Sequence, residues 1–335
     1  MKDINIRKNG TIGRITLQRP KALNSLTYNM LIEIEKALDL WEEDKNITAV
    51  VIDAIGDKAF CAGGDIQEIY KNGVNKNYKF AQKFWLDEYR INLKIAEYKK
   101  PYISFMQGFT MGGGIGISCH GSHRVVGETS ILAMPECSIG LVPDVGGSFL
   151  LSRLKNNLGV YLGITGTRMN ASDAIFCRFA DFYIPTKYWQ NVINLMIEGA
   201  DIVVALNAFR EQPQKSYLSE QTDSISEALD QITFKDIENN LSRKNNLQKG
   251  FENLCKNSPL SVAFTFSMLQ LPKVGTDLRT ALDFEYRYTF RAQEHTDFLE
   301  GIRALVIDKD RSPKWKHSSV KDVTFEEIDM LLKPL

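Results

Sequence analysis

Residues 102–121 read YISFMQGFTMGGGIGISCHG, and this stretch decides the fold. An apolar run that is typical of a buried strand passes into a glycine-rich turn, and a helix-forming segment follows it. Residues 59–66, AFCAGGDI, repeat this order with an apolar segment, paired glycines and the start of a helical pattern. Because strand, glycine-rich loop and helix recur along the chain, the sequence predicts a layered α/β fold.

The flanking sequence extends this pattern towards the N-terminus. Alternation predicts a strand over Ile12–Leu17, and Thr27 is placed to cap a helix whose apolar residues recur every three or four positions. The β-branched run at residues 48–52 predicts a strand that is buried on both faces. Residues 79–98 have a helical period and end before Pro101, so we expect a long helix there.

The C-terminal part of the chain has a different texture. We expect a short helix that ends near Leu154 and another that begins at Ser172. Beyond about Pro185 the segments are charged, helical in period and poor in glycine. The sequence therefore predicts a core over residues 1–185 that carries the active site, and a helical region over residues 186–335.

Composition excludes several classes of function. The 335 residues contain 41 Lys and Arg against 41 Asp and Glu, so no net charge favours nucleic acid or an anionic membrane. The five cysteines are scattered without a C-x-x-C pair, which disfavours a disulfide framework or a zinc site and fits a reducing compartment. No targeting or membrane-spanning segment is recognised. We expect a bacterial cytoplasmic protein or a mature mitochondrial matrix protein, without a metal.

Two glycine clusters and two acidic residues are the candidates for chemistry. The clusters leave backbone N–H groups free at helix starts, where negative charge is stabilised, although glycines also simply permit tight turns. Neither cluster satisfies the G-x-G-x-x-G or the G-x-x-x-x-G-K-[ST] pattern of nucleotide sites. Glu136 and Asp144 lie in a segment that otherwise looks like core, so they either cap helices at the surface or are buried for use.

Four strings in this order carry a resemblance to a known family. RPKALNSL at 19–26, AFCAGGDI at 59–66, TMGGGIG at 110–116 and MPECSIGLVPDVGG at 134–147 resemble the crotonase, or enoyl-CoA hydratase/isomerase, superfamily. The stretch at 297–316, DFLEGIRALVIDKDRSPKWK, resembles its 3-hydroxyisobutyryl-CoA hydrolase branch. The resemblance implies a spiral of repeated ββα units with two near-perpendicular sheets and additional C-terminal helices.

The resemblance also implies an oxyanion hole and a coenzyme A groove. In the family, the glycines that match Gly64 and Gly113 donate their amides to the thioester oxygen. The groove residues of the family match Ala22, Leu26, Ala62 and Ile66. Lys21 and Lys58 lie nearby in the sequence and are candidate partners for the phosphates, although surface lysines are often only solvated.

One departure from the family pattern sets the expected reaction. Hydratases of the superfamily carry a glutamate at the position of Gly116, and this chain therefore lacks one of the two hydratase acids. The second acid matches Glu136, and Asp144 follows in the pattern of the hydrolase branch. Glu88 matches a further glutamate that contacts substrate, although a glutamate on a charged helix usually faces solvent.

The resulting hypothesis is hydrolysis of 3-hydroxyisobutyryl-CoA in valine catabolism, with 3-hydroxypropionyl-CoA as a second candidate substrate. Glu136 either attacks the carbonyl or activates water, and Asp144 orients the substrate hydroxyl or the water. No cofactor beyond the CoA of the substrate is expected, and Cys137 is read as an inert thiol. A hydratase or isomerase, a non-catalytic subunit of an assembly and a dinucleotide-binding enzyme are the alternatives. Family members are often trimers or hexamers, so a homo-oligomer is a candidate state.

Overall fold

Nine strands form two sheets in the computed structural model, which describes residues 2–230, 233 and 235–335. The larger sheet has the order β1-β2-β3-β5-β7-β9 and the smaller sheet the order β4-β6-β8. The strands are β1 Ile4–Asn9, β2 Ile12–Leu17, β3 Ala49–Ala54, β4 Ala59–Cys61, β5 Tyr102–Met106, β6 Phe109–Met111, β7 His123–Val126, β8 Ile131–Ala133 and β9 Phe182–Tyr183. The predicted α/β fold is confirmed.

The larger sheet is parallel apart from its first hairpin. β1 pairs with β2 in antiparallel register, and β2, β3, β5, β7 and β9 then follow as parallel neighbours. Every residue of β5 is buried, and in β3 only Ala54 is partly exposed. Continuous apolar runs of this kind are expected where helices or other layers cover both faces of a parallel sheet.

Sixteen α-helices are present in the described residues. They are α1 Tyr28–Glu43, α2 Ile66–Val74, α3 Tyr78–Ala96, α4 Gly113–Gly116, α5 Gly147–Ser152, α6 Leu158–Thr165, α7 Ala171–Phe176, α8 Trp189–Ile197, α9 Ile202–Asn207, α10 Tyr217–Leu229, α11 Ile237–Ser242, α12 Gln248–Leu254, α13 Pro259–Leu269, α14 Leu278–His295, α15 Phe298–Ile302 and α16 Phe325–Leu332. Thr27 caps α1 as predicted, because its side chain accepts a hydrogen bond from the Met30 amide. The predicted long helix is α3.

One predicted helix start is wrong in detail. The helix expected from Ser172 begins at Ala171, and its N-cap is Asn170, whose side chain forms a capping box with Asp173. This error arises because Asn170 and Ser172 are both suited to cap the helix, and local sequence alone does not say which residue does so. The short helix expected to end near Leu154 spans Gly147–Ser152, and its N-cap residue Gly146 supplies no side chain.

The chain forms two compact units. The first comprises Met1–Gly64, Arg90–Leu132 and Met169–Ser219, and the second comprises Asp65–Tyr89, Ala133–Arg168 and Glu220–Leu335. The first unit contains the larger sheet, and its core includes Ile12, Val51, Phe105 and Val125. The second unit is mainly helical. The limits of these units do not coincide with the predicted boundary after residue 185, because each unit is assembled from three separate segments.

Candidate active site

The two glycine clusters lie in the first unit, after neighbouring strands. β4 and β6 pair in parallel, with Cys61 opposite Thr110. The loop with Gly63 and Gly64 follows β4, and the turn at Gly112 leads from β6 into α4. Since parallel strands end at the same edge of their sheet, the pairing brings the two loops to one place.

Close backbone approach explains why glycine is needed in these loops. Gly63 has φ +115° and Gly112 has φ +47°, values that residues with a side chain rarely adopt. A β-carbon on Gly63 would lie 3.9 Å from the Gly113 nitrogen, an ordinary contact distance, so the positive φ and not a lack of space requires glycine there. A β-carbon on Gly114 would lie 2.3 Å from the carbonyl oxygen of Cys61, which is closer than atoms can approach. The two loops therefore pack backbone against backbone.

The amides of Gly64 and Gly113 are available for a ligand. Within the described residues neither amide has a hydrogen-bond acceptor. Gly113 is the first residue of α4, and the first amides of a helix have no partner inside it. Leu26 donates its amide to the Gly63 carbonyl and so fixes the neighbouring peptide without using the Gly64 amide. These two donors can stabilise negative charge on an oxygen.

The predicted groove residues differ in how accessible they are. Ala22, Lys21 and Lys58 are exposed, and Ala62 is half-buried. Leu26 is completely buried, so its side chain belongs to the core and a ligand would have to displace its neighbours to touch it. The assignment of Leu26 to the groove stays a prediction. Ile66 is half-buried and begins α2 in the second unit.

All three predicted acidic residues lie in the second unit and are buried. Glu88 is 2% exposed on α3, and Glu136 and Asp144 are each 4% exposed. Glu136 begins a short 3-10 helix over Glu136–Ile139, and Asp144 lies in the turn before α5. The alternative that Asp144 caps α5 is wrong, because its side chain points to a tyrosine and only its backbone carbonyl accepts from Gly147.

The side chain of Asp144 is held by a hydrogen bond from a buried tyrosine. The hydroxyl of Tyr89 donates to its Oδ2 atom at 2.8 Å. Burial raises the pKa of Asp144 to about 7, and the hydrogen bond from Tyr89 opposes this rise because it stabilises the ionised form. Asp144 therefore exchanges a proton near neutral pH, which suits a group that takes part in acid or base chemistry.

Burial disfavours the ionised forms of Glu136 and Glu88. Burial raises the pKa of each well above its usual value, and the charge of Asp144 raises both further. Glu136 Oε2 and Glu88 Oε1 have no hydrogen-bond partner in the part of the chain that the structure describes. Buried polar atoms are normally paired, so these oxygens are free to bind groups of a ligand.

Sequence reasoning missed another buried carboxylate, Glu285 on α14, whose pKa the charge of Asp144 affects. It accepts hydrogen bonds from the Gly146 amide at 2.8 Å, the Ser148 amide at 2.9 Å and the Ser148 hydroxyl at 2.5 Å. Burial and the charge of Asp144 raise its pKa to about 8. One signal could have found it, because residues Leu278, Ala281, Leu282 and Glu285 follow the spacing of one helix face. An acidic side chain on the apolar face of a helix is expected to be buried, and it then needs hydrogen-bond donors as partners.

The structure also shows the surroundings of Thr289, which sequence reasoning missed, and of Cys137, which it interpreted as an inert thiol. Thr289, one helical turn after Glu285, lies within hydrogen-bond distance of the Tyr89 hydroxyl at 3.3 Å. Cys137 is buried, and its thiol donates to the Gly163 carbonyl at 3.4 Å. Burial raises the pKa of this thiol to about 12, which agrees with the interpretation of Cys137 as unreactive.

Comparison with known proteins identifies the family. The model of the Enoyl-CoA hydratase/isomerase family matches residues 12–332. The chain is 36% identical to the mitochondrial 3-hydroxyisobutyryl-CoA hydrolase of Danio rerio, over 99% of this chain and 90% of that protein. The corresponding protein of Homo sapiens is also 36% identical, over 100% of this chain and 89% of its own length.

Solved structures agree with this fold along the whole chain. An enoyl-CoA hydratase from Rhodobacter sphaeroides is 47% identical with a TM-score of 0.95, and covers 100% of this chain and 98% of its own. A carnitinyl-CoA dehydratase from Mycobacterium thermoresistibile is 35% identical with the same TM-score, and covers 100% and 97%. Of the helices that the structure describes, none has the length and apolar character to cross a membrane. The chain belongs to the enoyl-CoA hydratase/isomerase family and has the crotonase fold.

Proposed function

We propose that this chain hydrolyses the thioester of 3-hydroxyisobutyryl-CoA to the hydroxy acid and free coenzyme A. The observation that carries the proposal is the buried pair Glu136 and Asp144 in a chain with glycine at position 116. The full-length relatives that carry the hydrolase name support the same reaction. The chain lacks the hydratase acid at position 116, but it keeps Glu136 and Asp144, which suit attack on a thioester.

In the proposed mechanism the amides of Gly64 and Gly113 bind the thioester oxygen. Attack on the carbonyl carbon places negative charge on this oxygen, and the two amides stabilise it. Their free donors support this role. Removal of one such donor lowers kcat by about 10² to 10³ in other enzymes.

Glu136 acts on the carbonyl carbon in one of two ways. As a nucleophile, its carboxylate forms the acyl bond, the C–S bond breaks, coenzyme A leaves, and water then hydrolyses the anhydride. As a base, it takes a proton from water while the water oxygen forms the bond, and the proton passes to the leaving thiolate. Both routes need Glu136 ionised, so the rate is expected to rise with pH.

Asp144 and Glu88 are proposed to bind the 3-hydroxyl group of the substrate. The unpartnered oxygen of Glu88 and the proximity of both carboxyl groups in one buried cluster support this assignment. Sites that bind a hydroxyl by buried polar groups reject analogues without it by about 10⁴ to 10⁵. 3-Hydroxypropionyl-CoA keeps this hydroxyl and is therefore a second candidate substrate.

The test follows the release of free thiol from 3-hydroxyisobutyryl-CoA and, in parallel, from isobutyryl-CoA. We expect rapid release from the first and little from the second. Hydroxylamine added during turnover distinguishes the two routes, because it converts an anhydride on Glu136 to a hydroxamate that mass spectrometry detects. No thiol release from the hydroxyacyl thioester by a folded preparation would overturn the proposal.

Hydration of an enoyl-CoA is a second candidate, favoured by the 47% identity to a protein named as a hydratase. The same preparation is assayed for loss of the conjugated double bond of crotonyl-CoA. We expect no hydration by the wild type, and a gain of hydration by Gly116→Glu. Hydration by the wild type at a rate above its thiol release would favour the second candidate.

The site of action is proposed to be a reducing compartment, the bacterial cytoplasm or the mitochondrial matrix. In the part of the chain that the structure describes, none of the five cysteines forms a disulfide bond and four of them are buried, which supports an environment where thiols stay reduced. The relatives from Danio rerio and Homo sapiens are named as mitochondrial. Localisation of a tagged chain in its native cell tests this assignment.

A further inference from the structure

The turn between Asp144 and α5 has a strained backbone. Val145 has φ +52° and Gly146 has φ +78°, so two consecutive residues adopt the left-handed conformation. For a β-branched residue such as Val145 this conformation is a genuine outlier. Strained backbone of this kind persists only where the surrounding structure holds it, and it concentrates at functional sites.

Glu285 is the side chain that holds this turn. Its Oε2 atom accepts from the Gly146 amide, and its Oε1 atom accepts from both the amide and the hydroxyl of Ser148. Both carboxylate oxygens are therefore committed to residues that immediately follow Val145. The backbone amide of Gly147 donates back to the Asp144 carbonyl at 2.7 Å, which connects the held residues to Asp144.

The bonding capacity of Glu285 is used inside the protein. The residue is 0% exposed, and its two oxygens already accept three hydrogen bonds. In contrast, Glu136 and Glu88 each have an oxygen without a partner in the described residues. Glu285 is therefore arranged to organise the turn, whereas Glu136 and Glu88 have acceptor capacity left for a ligand.

We propose that Glu285 is a positioning residue that holds the strained 144–148 turn and thereby sets the position of the Asp144 carboxylate. The inference rests on the proposed function, in which Asp144 binds the substrate hydroxyl. Glu285 comes from α14, more than a hundred residues after the turn in the sequence, and lies outside the motifs that carry the family resemblance.

Glu285→Gln tests this role with almost no change of shape. Three donors converge on two oxygens, so whichever oxygen becomes an amide NH₂ group, at least one backbone N–H then faces another donor. The turn loses part of its anchor while the side-chain volume is kept. Ser148→Ala removes only the hydroxyl bond and is the milder variant. Glu294→Gln is the matched control, because Glu294 lies on the same helix and is exposed.

The activity measurement compares kcat and KM for thiol release. A misplaced reacting group costs up to about 10²-fold in rate, so we expect Glu285→Gln to lower kcat by about ten- to a hundredfold with a smaller change in KM. Ser148→Ala is expected to lower kcat less, and Glu294→Gln to match the wild type. Thermal unfolding verifies that each variant is folded at the assay temperature.

A double-mutant cycle separates positioning from general structural support. If Glu285 acts through Asp144, Glu285→Gln causes little further loss of kcat in an Asp144→Asn background. Equal losses in both backgrounds, or a folded Glu285→Gln with wild-type kcat, would overturn the proposal. If Glu285→Gln does not fold, Ser148→Ala is taken through the same cycle with the same criteria.

Hydrogen exchange gives a readout that does not depend on the reaction. We expect the amides of the 144–148 turn to exchange faster in Glu285→Gln than in the wild type or Glu294→Gln. Faster exchange in a protein whose wild type releases no thiol would leave the anchor intact and refute only the proposed function. Unchanged exchange in Glu285→Gln would refute the anchor itself.

Discussion

The glycine loops of the first unit present backbone donors, whereas the carboxyl cluster of the second unit, Glu88, Glu136, Asp144 and Glu285, presents side chains that titrate. Gly64 and Gly113 offer backbone amides whose charge does not change with pH, and the packing of β4 against β6 fixes their positions. The cluster offers side chains whose ionisation depends on burial and on one another. Backbone donors are therefore expected to be sensitive to sterics, and the carboxyl groups to be sensitive to pH and charge.

Within the glycine loops, the largest effect is expected from a steric change at Gly114. A methyl group in Gly114→Ala would meet the Cys61 carbonyl at 2.3 Å and displace the turn that carries the Gly113 amide. We expect thiol release to fall by about 10² to 10³, the cost of a lost oxyanion donor. The measurement is kcat together with the thermal midpoint.

Gly163→Ala in α6 is the control for this prediction. Its added methyl group would meet only side-chain atoms, at 3.2 Å, and these can move. The control is expected to retain activity. Wild-type kcat in a folded Gly114→Ala would show that the loops tolerate displacement and would remove the contrast between the two regions.

A smaller, pH-dependent effect is expected from Tyr89→Phe. The lost hydrogen bond normally stabilises the Asp144 carboxylate, so the pKa of Asp144 should rise above about 7 in the variant. The rising limb of kcat/KM then moves to higher pH, and a rise of one unit lowers activity at pH 7 by about fivefold, because the ionised fraction of Asp144 falls from about one half to about one tenth. A pH–rate profile measures the displacement.

Tyr286→Phe is the matched control, because its ring packs against Tyr89 and its hydroxyl donates to the Gln82 carbonyl. Its pH profile should coincide with that of the wild type. A Tyr89→Phe profile that loses height without moving along the pH axis would contradict the proposed effect on Asp144.

The carboxyl cluster should also make the folded state less stable at high pH. The pKa values of Glu88, Glu136, Asp144 and Glu285 are all raised in the folded protein, so this state binds more protons than the unfolded chain above about pH 4. Their contribution to stability is full below the unfolded pKa values. It is lost as pH rises through about 7 and 8, the values for Asp144 and Glu285.

Thermal unfolding from pH 5 to pH 8.5 tests this prediction, and the midpoint is expected to fall as pH rises. Glu136→Gln removes one of the buried acids, so its midpoint should fall less over the same range. A pH dependence as steep in Glu136→Gln as in the wild type would mean that Glu136 does not titrate as described.

The smallest effect is expected from Cys137→Ser. Cys137 follows Glu136 directly in the sequence and its thiol is buried, but the raised pKa of the thiol keeps it protonated. A serine hydroxyl can keep the hydrogen bond to the Gly163 carbonyl, so we expect wild-type thiol release. A large loss of kcat in a folded Cys137→Ser would assign chemistry to the thiol and not to the carboxyl groups.

The sequence predicts local features of both regions well and distant contacts poorly. The glycine loops, the strands beside them and the Thr27 cap depend on residues a few positions apart, and the structure confirms them. The burial of Glu88 could not be predicted, because a charged helix gives no sign of which elements cover it. Leu26 was assigned to the groove by resemblance, and its complete burial could not be predicted from the sequence.

Glu285 shows why the remainder was out of reach. Its partners Gly146 and Ser148 lie 139 and 137 positions away in the chain, so only the folded structure brings them together. The helical spacing of α14 indicates that Glu285 faces inwards but does not name its partners. The alternative in which Asp144 caps α5 was wrong for a related reason. The Asp144 side chain accepts a hydrogen bond from Tyr89, more than fifty residues earlier in the chain, and is not used in a local cap.

The most direct test of the central claim is thiol release from saturating 3-hydroxyisobutyryl-CoA by the wild type, Glu136→Gln and Asp144→Asn, with binding of coenzyme A measured on the same samples. The account predicts rapid turnover by the wild type and losses of about 10² to 10⁴ in both variants, with binding retained. Near-wild-type turnover in both folded variants would contradict the account, because the buried carboxyl pair would then have no part in the chemistry.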